Sequence, residues 1–431
     1  MKLSDIKKVH FIGVGGIGMS ALARLFLTEG KGVSGSDRAP SNITNELSKE
    51  GVTIFEGHAK ENVHTENSLV VYTEAVSEKT EGYIELQTAR EKGIPTINYF
   101  DALGMVANEY YLIAVAGSHG KTTTTAMLID IFEAAGLDPS AVVGSLRAKT
   151  KSNYRAGKSK YFIVEACEYR RDFLSLTPDV LVITNVEHEH VDYYKNLEEV
   201  QQAFREFALQ VREGGVVIAN LSDNKVRPCT THLLCDVIDY GKYFNPLLSL
   251  KIPGVHNQMN AAAALAAAAY VGTSKEMAQQ ALEQFAGTWR RFEYKGEVHG
   301  AKVYDDYGHH PTEIEATLKG TRELYPDKKI VLVFQSHTYS RTHALFADFV
   351  RALRCADEVY ILPIYAAREE NESGVSHTGL AEAVHTSDTF AHAHDTFDTV
   401  VAELKQKANN TEVIVVMGAG DITRVADMLT K

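Results

Sequence analysis

Short apolar runs, each closed by glycine or by a polar cluster, alternate along the chain with stretches of helical period. The run from Lys8 to Ile12 enters Gly13-x-Gly15-x-x-Gly18, and the helix expected over Met19–Thr28 places Leu22, Leu25 and Phe26 on one face. Further strands are expected at Val52–Phe55, Ser68–Thr73 and Ile94–Ile97, with a helix over Tyr83–Glu91. Asp101–Asn108 reads as a connector into the next strand, which begins near Leu112 and precedes a helix running through Ile131. Strands follow at Ala141–Gly144, Tyr161–Glu165, Val180–Asn185 and Gly215–Asn220, with a basic loop over Lys149–Lys160. Leu197–Val211 shows the helical spacing of Val200, Phe204, Phe207 and Ala208. Residues 221–250 carry little pattern, and Ile252–Asn260 precedes an alanine-rich helix ending at Ala269. Lys302–Asp306, Lys329–Phe334, Glu358–Pro363 and Glu412–Met417 are strands, and a helix opens after His310 and runs through Leu324. Repeated strand–helix alternation of this kind implies mostly parallel sheets covered on both faces, an α/β fold.

Composition adds limits. A chain of 431 residues has room for several domains, and 45% hydrophobic with 23% charged residues is ordinary for globular proteins. The formal net charge of −12 argues against a nucleic-acid surface and against stable membrane association. Four cysteines without zinc-pair or redox-pair spacing suit a reducing compartment. With no apolar leader and no run long enough to span a bilayer, the expectation is a cytoplasmic protein.

Chemistry concentrates at the ends of the strands. Leu112–Ala116 leads into Gly117-Ser118-His119-Gly120-Lys121-Thr122-Thr123, a glycine-bounded loop opening a helix. Backbone N–H groups at such a helix start point at an anion, and the helix dipole favours negative charge there. Lys121 suits the terminal phosphates of a nucleotide and the Thr122 hydroxyl suits Mg²⁺; without nucleotide, Lys121 is expected to be solvated. Only two residues separate Gly117 from Gly120, fewer than in the usual Walker loop. The first glycine loop suits a pyrophosphate, with Asp37 where an acid would meet a ribose; a dinucleotide and a nucleotide-sugar share that group. Thr73 follows a buried strand, where ligand loops sit in such sheets. Glu165 ends a strand beside the phosphate loop and suits a metal, although a solvated strand end is the plainer reading. The Glu187-His188-Glu189-His190 cluster, reaching Asp192, follows a central strand and suits a metal or phosphate role for one member. His256, Asn257 and Asn260 are either first-turn polar surface or readers of an adenine edge. Asp305, Asp306 and His309 look like substrate or nucleotide contacts.

With these residues in view, the chain resembles the Mur ligases of bacterial cell-wall synthesis. Gly13–Gly18, Gly117–Thr124, Glu165–Glu168, Thr184–His190, Gly254–Asn257, Arg290–Phe292, Asp305–Glu313, Phe334–His337 and Arg341 carry the resemblance over nearly the whole length. It implies three domains: a Rossmann-like UDP-sugar-binding domain over 1–107, a central ATP-binding domain over 108–287, and a C-terminal Rossmann-like α/β domain over 288–431 that closes over the site. It also implies ATP and Mg²⁺ as cofactors and UDP-N-acetylmuramate and L-alanine as substrates, joined through an acyl phosphate. Lys121 then grips the ATP phosphates while Thr122, Glu165 and His190 gather around Mg²⁺. His256, Asn257 and Asn260 lie near adenine, and Arg290 and Asp305 approach the nucleotide. His309, a candidate basic or orienting group, and Arg341 face the amino acid and the carboxyl product. Gly15, Gly16 and Gly18 hold the pyrophosphate, with Asp37 near the uridine. The resemblance departs in two places. The 221–252 region is short, so that an accessory sheet is expected to be reduced or absent. No lysine falls in Val200–Val211, where sister ligases carry a carbamylated one. Three rivals remain at this level: a ligase that reattaches a recycled tripeptide to UDP-N-acetylmuramate, a hydride-transferring dehydrogenase and a non-catalytic UDP-sugar sensor.

Overall fold

The computed structural model describes residues 2–190, 193–367 and 369–431. Among these residues the strands form three sheets, one in each of the three segments expected from the sequence. The described residues group into two compact units. The first takes the chain up to His188, Leu197–Phe244 and Ala261–Leu282; the second takes Glu189–Asn196, Asn245–Asn260 and Glu283–Lys431. Asp192 of the acidic cluster lies outside the described residues.

The first sheet contains β1 (Lys8–Ile12), β2 (Gly32–Asp37), β3 (Thr53–Glu56), β4 (Leu69–Tyr72) and β5 (Thr96–Asn98), all parallel, in the order β3-β2-β1-β4-β5. The strand order reverses at β1, and the loop after β1 is the Gly13–Gly18 loop, where open α/β sheets bind ligands. Helices α1 (Ile17–Thr28), α2 (Asn42–Lys49) and α3 (Tyr83–Glu91) form as their periodicity dictates, and Leu22, Leu25 and Phe26 are buried. Residues 101–108 are not a connector. They belong to α4 (Tyr99–Ala107), capped by the Asn98 side chain accepting from Asp101 N at 2.8 Å. Ala102, Leu103, Val106 and Ala107 are its buried face. Gly104 lets it lie so close to the 169–175 segment that a Cβ there would come within 2.4 Å of the Ser175 carbonyl oxygen.

The central sheet is built from β6 (Tyr111–Ala116), β7 (Ser140–Val142), β8 (Tyr154–Arg155), β9 (Tyr161–Glu165), β10 (Val180–Ile183), β11 (Val216–Ala219) and β12 (Asp236–Asp239). Its order is β12-β11-β10-β6-β9-β7-β8, parallel except for the short β7–β8 pair, whose β8 lies inside the basic loop. Helix α5 (Lys121–Ala134) follows β6, and α6 (Leu197–Ala208) buries Val200, Phe204, Phe207 and Ala208. The patternless 221–250 stretch contains β12 after all, and it extends the main sheet as an edge strand rather than forming a sheet of its own. Its half-buried Asp-Val-Ile-Asp is too short to announce itself. Helix α7 (Val255–Tyr270) starts earlier than its alanine run, so His256, Asn257 and Asn260 stand within its first turns rather than before it; α8 (Lys275–Gln284) follows.

The last sheet takes β13 (Glu293–Val298), β14 (Ala301–Asp306), β15 (Lys329–His337), β16 (Glu358–Tyr365), β17 (Phe390–Ala393) and β18 (Glu412–Met417), in the order β13-β14-β18-β15-β16-β17. All neighbours are parallel but β13–β14, a hairpin whose polar edge strand the sequence did not announce. Strand β15 runs three residues past Phe334, so Gln335 and Ser336 are buried strand residues. Helix α9 (Pro311–Leu324) begins with His310 and Glu313 in a capping box.

Candidate active site

The Gly117–Thr123 loop is held open by the end of β10. Ser118 N donates to the Asn185 carbonyl at 3.1 Å, His119 N to Asn185 Oδ1 at 2.9 Å, and Thr184 Oγ1 to the His119 carbonyl at 2.6 Å. Gly117 has φ 140°, and a Cβ there would sit 1.9 Å from Thr184 Oγ1, so only glycine fits. Gly120, at φ 80°, caps α5, whose first N–H groups lack intrahelical acceptors. The Thr122 hydroxyl donates to Glu165 Oε1 at 2.9 Å, and Gly144 N donates to Glu165 Oε2 at 2.7 Å. A hydroxyl and a carboxylate brought together at a helix N-terminus are donors that suit Mg²⁺, which takes one or two protein oxygens and completes its shell with water and phosphate.

Lys121 is not solvated. Its Nζ donates to the Gly117 carbonyl at 2.5 Å and the Ser118 carbonyl at 3.0 Å, and lies 2.9 Å from Glu168 Oε2. Glu168 is buried, with its side chain 2% exposed, so the lysine compensates a carboxylate that water does not reach. The sequence contained Glu168 within a motif but gave no sign that it pairs with Lys121, since the pairing depends on β6 and β9 being neighbours. Nearby, Glu187 accepts from His119 Nε2 at 3.2 Å and Lys225 Nζ at 3.1 Å. Burial by itself would raise the Glu187 pKa, but these two donors hold it well below the usual carboxylate range. His119 therefore faces a permanent anion on one side.

In the first sheet, Gly13 N and Val14 N donate to the Ser36 carbonyl at 2.8 and 3.0 Å, and Gly15 N donates to Asp37 Oδ2 at 2.8 Å. Asp37 thus braces the glycine loop, and Gly16 caps α1. Thr73 sits beside Gly13, where an added Cβ would meet its Cγ2 at 3.1 Å.

The second unit holds the other expected residues. His190 stands at φ 51°, a left-handed conformation uncommon for a side-chain-bearing residue. Arg290 and Asp305 are a buried pair, 3.1 Å from Nε to Oδ2, and the guanidinium also donates to the Gly418 and Gly420 carbonyls at 2.5 and 2.9 Å. As placed they tie the β14 and β18 ends together. Asn257 Nδ2 donates to the Pro253 carbonyl at 2.7 Å, and Asn260 Nδ2 to Asn257 Oδ1 at 3.3 Å. His256 lines a cleft of about 300 Å³ with Thr312, Glu315, Ala316 and Lys319 on one side of α9.

His309 and Arg341 lie at the C-terminal ends of β14 and β15. His309 Nδ1 donates to the Tyr307 carbonyl at 3.1 Å, and its ring meets that of His337 edge-on at 5.8 Å. Arg341 Nη1 lies 3.4 Å from His337 Nδ1; arginine has no acceptor, so His337 carries its proton on Nε2. Burial, with Arg341 adding repulsion, lowers the His309 pKa to about 4. At neutral pH its imidazole is uncharged, and Nε2 is the acceptor. In an NMR titration His309 stays neutral down to about pH 5; an apparent pKa near the ordinary 6.5 contradicts this environment.

A phosphate loop with a hydroxyl–carboxylate pair at its head, joined to a second glycine loop of dinucleotide type, defines an ATP-dependent α/β enzyme. The chain belongs to the Mur ligase family. Residues 8–111 match its catalytic-domain model, 115–246 its middle domain and 290–420 the glutamate ligase domain. The chain is 38% identical to the UDP-N-acetylmuramate–L-alanine ligase of Agathobacter rectalis, over 98% of this chain and 97% of that one. To the enzyme of the same name in Caldanaerobacter subterraneus subsp. tengcongensis it is 39% identical, over 99% and 97%. The crystal structure of the UDP-N-acetylmuramate-alanine ligase of Thermotoga maritima superposes with a TM-score of 0.79 at 27% identity, covering 98% of each chain.

Proposed function

We propose that this protein joins L-alanine to the lactyl carboxylate of UDP-N-acetylmuramate at the expense of ATP. The observation that carries this reading is end-to-end similarity to ligases of that name, with the phosphate loop, Lys121, Thr122 and Glu165 all in place. A carboxylate oxygen attacks the γ-phosphorus of ATP, the bond to the β,γ-bridging oxygen breaks, and ADP leaves. The amine then attacks the carbonyl carbon of the acyl phosphate, and inorganic phosphate leaves as the amide forms. Positioning and charge neutralisation supply most of the acceleration in such transfers. Lys121, freed from its own loop, faces the phosphates. Mg²⁺, held by Thr122 and Glu165 with His190 as a third ligand, would neutralise phosphate charge. Neutral His309 accepts a proton from, or orients, the incoming amine, and Arg341 faces the product carboxyl group. Gly15, Gly16 and Gly18 hold the pyrophosphate, while Asp37 and Thr73 lie toward the uridine side. His256, Asn257 and Asn260, with Arg290 and Asp305, would contact the adenosine side of the nucleotide.

The test is phosphate release with UDP-N-acetylmuramate, ATP and a panel of amines. L-Alanine is the preferred amine, with L-serine and glycine slower by about 10- to 100-fold, since one methylene or hydroxyl changes transition-state binding by only ~1–3 kcal/mol. A tripeptide amine consumed as fast as alanine assigns the chain to peptide reattachment instead. Tight NAD(H) binding points to a dehydrogenase, and absence of any ATP turnover points to a sensor.

A further inference from the structure

Tyr99 is the first residue of α4, the helix that the sequence reads as a connector. It touches the pyrophosphate loop directly: a Cβ on Gly18 would lie 3.0–3.1 Å from the Tyr99 Cζ, Cε2 and hydroxyl oxygen. Gly18 is therefore glycine because the phenol occupies the space above it. The ring is fixed edge-on against Phe100, with centroids 4.9 Å apart. The same side chain lies in the electrostatic reach of Glu165 and Cys167, at the C-terminal end of β9. Burial first, then these two groups, push the phenol pKa well up, so the hydroxyl is a donor at any working pH. Among the described residues that hydroxyl has no acceptor. The side chain is half-buried and the hydroxyl still open to solvent, so a ligand seated on the first loop finds a hydrogen-bond donor in reach without displacing a protein partner.

We propose that the Tyr99 hydroxyl donates a hydrogen bond to the lactyl carboxylate of the UDP-sugar and holds it for phosphoryl transfer. This rests on the ligase reading above. The sugar-nucleotide has its pyrophosphate at one end and its carboxylate at the other. With the pyrophosphate on Gly15–Gly18, the carboxylate must reach the γ-phosphate beside Thr122 and Glu165. Tyr99 is in contact with the first loop and within the field of Glu165. A carboxylate arriving near Glu165 meets repulsion, and a neutral O–H relieves it without competing with Lys121 for phosphate charge.

Tyr99→Phe removes the hydroxyl and keeps the ring that packs on Gly18. The experiment measures phosphate release, UDP affinity and melting temperature for the wild type and for Tyr99→Phe. In the variant, kcat/KM for UDP-N-acetylmuramate falls about 10- to 100-fold, the loss of one hydrogen bond to a charged group, while UDP affinity and the KM for ATP stay within about twofold. ADP formation without amine falls in parallel, because the lost contact acts before the amine attacks. Unchanged turnover in Tyr99→Phe overturns the proposal. So does an equal loss of affinity for UDP itself, which would place the hydroxyl on the pyrophosphate or assign it to the fold. A wild type that releases no phosphate with any amine refutes the ligase reading, and the proposal with it.

Discussion

Replacing Lys121 with methionine abolishes ligation and also destabilises the protein, and the second effect separates this lysine from one that merely waits in solvent. Its Nζ is 2.9 Å from a carboxylate whose side chain is 2% exposed, and it also satisfies two carbonyls of its own loop. Removing the lysine takes a cation away from a buried carboxylate, at a cost of about 3 kcal/mol. Activity falls by at least about 1,000-fold, because a charge matched to the transferring phosphoryl group is lost at more than ~4 kcal/mol. The double variant Lys121→Met with Glu168→Gln recovers most of the stability but none of the activity. Denaturation midpoints and phosphate release on the wild type and both variants check this. A single Lys121→Met variant as stable as wild type shows that the pair contributes nothing to the fold.

The legible parts of the molecule were those whose signal is local. The strand–glycine–helix units at Gly13–Gly18 and Gly117–Thr123 announce themselves because a phosphate site is made by consecutive residues. Helices α3 and α9 carry their period within a few turns, and α9 carries its capping box as well. What stayed hidden depends on partners far along the chain. Helix α4 is short, includes Gly104, and owes its buried face to packing against α1 and the 169–175 segment. Strand β13, Glu-Tyr-Lys-Gly-Glu-Val, exists because β14 offers it an edge, and β12 exists because β11 does. The pairing of Lys121 with Glu168 follows from the β6–β9 register, and that of Arg290 with Asp305 from the β13–β14 hairpin, in which Glu293 pairs with Asp305. Composition and periodicity contain none of these long-range facts.

Glu85→Ala has the largest effect expected away from the phosphate loop. Glu85 lies in the first turn of α3, where a carboxylate normally faces water, yet it is 0% exposed. It accepts from Ser36 Oγ at 2.6 Å, Asn62 Nδ2 at 2.7 Å, Ala59 N at 3.1 Å and His10 Nε2 at 3.1 Å, with His58 Nδ1 3.6 Å away. Ser36 is also the residue whose carbonyl takes the N–H groups of Gly13 and Val14, so the network underlies the first glycine loop. Alanine would take this acceptor from four donors, three of them in buried hydrogen bonds, and the loss of stability is about 3–5 kcal/mol. Burial would raise the Glu85 pKa, but the His10, His58 and Ser36 hydrogen bonds hold it far below its ordinary 4.5; His58, beside that anion, is raised above 6.5. A depressed carboxylate contributes stability that is complete above its unfolded value and is lost as pH falls through the folded one. A raised imidazole contributes stability that is complete below its unfolded value and is lost as pH rises through the folded one. The network is therefore strongest between 4.5 and 6.5, the two ordinary values. Melting temperature measured against pH shows the difference: wild type loses stability on both sides of that window, and Glu85→Ala, lower throughout, has flatter limbs. Parallel curves for the two proteins would mean that Glu85 does not titrate with folding. UDP affinity should weaken in the variant along with stability, because the Ser36 carbonyl that anchors the glycine loop loses its own support.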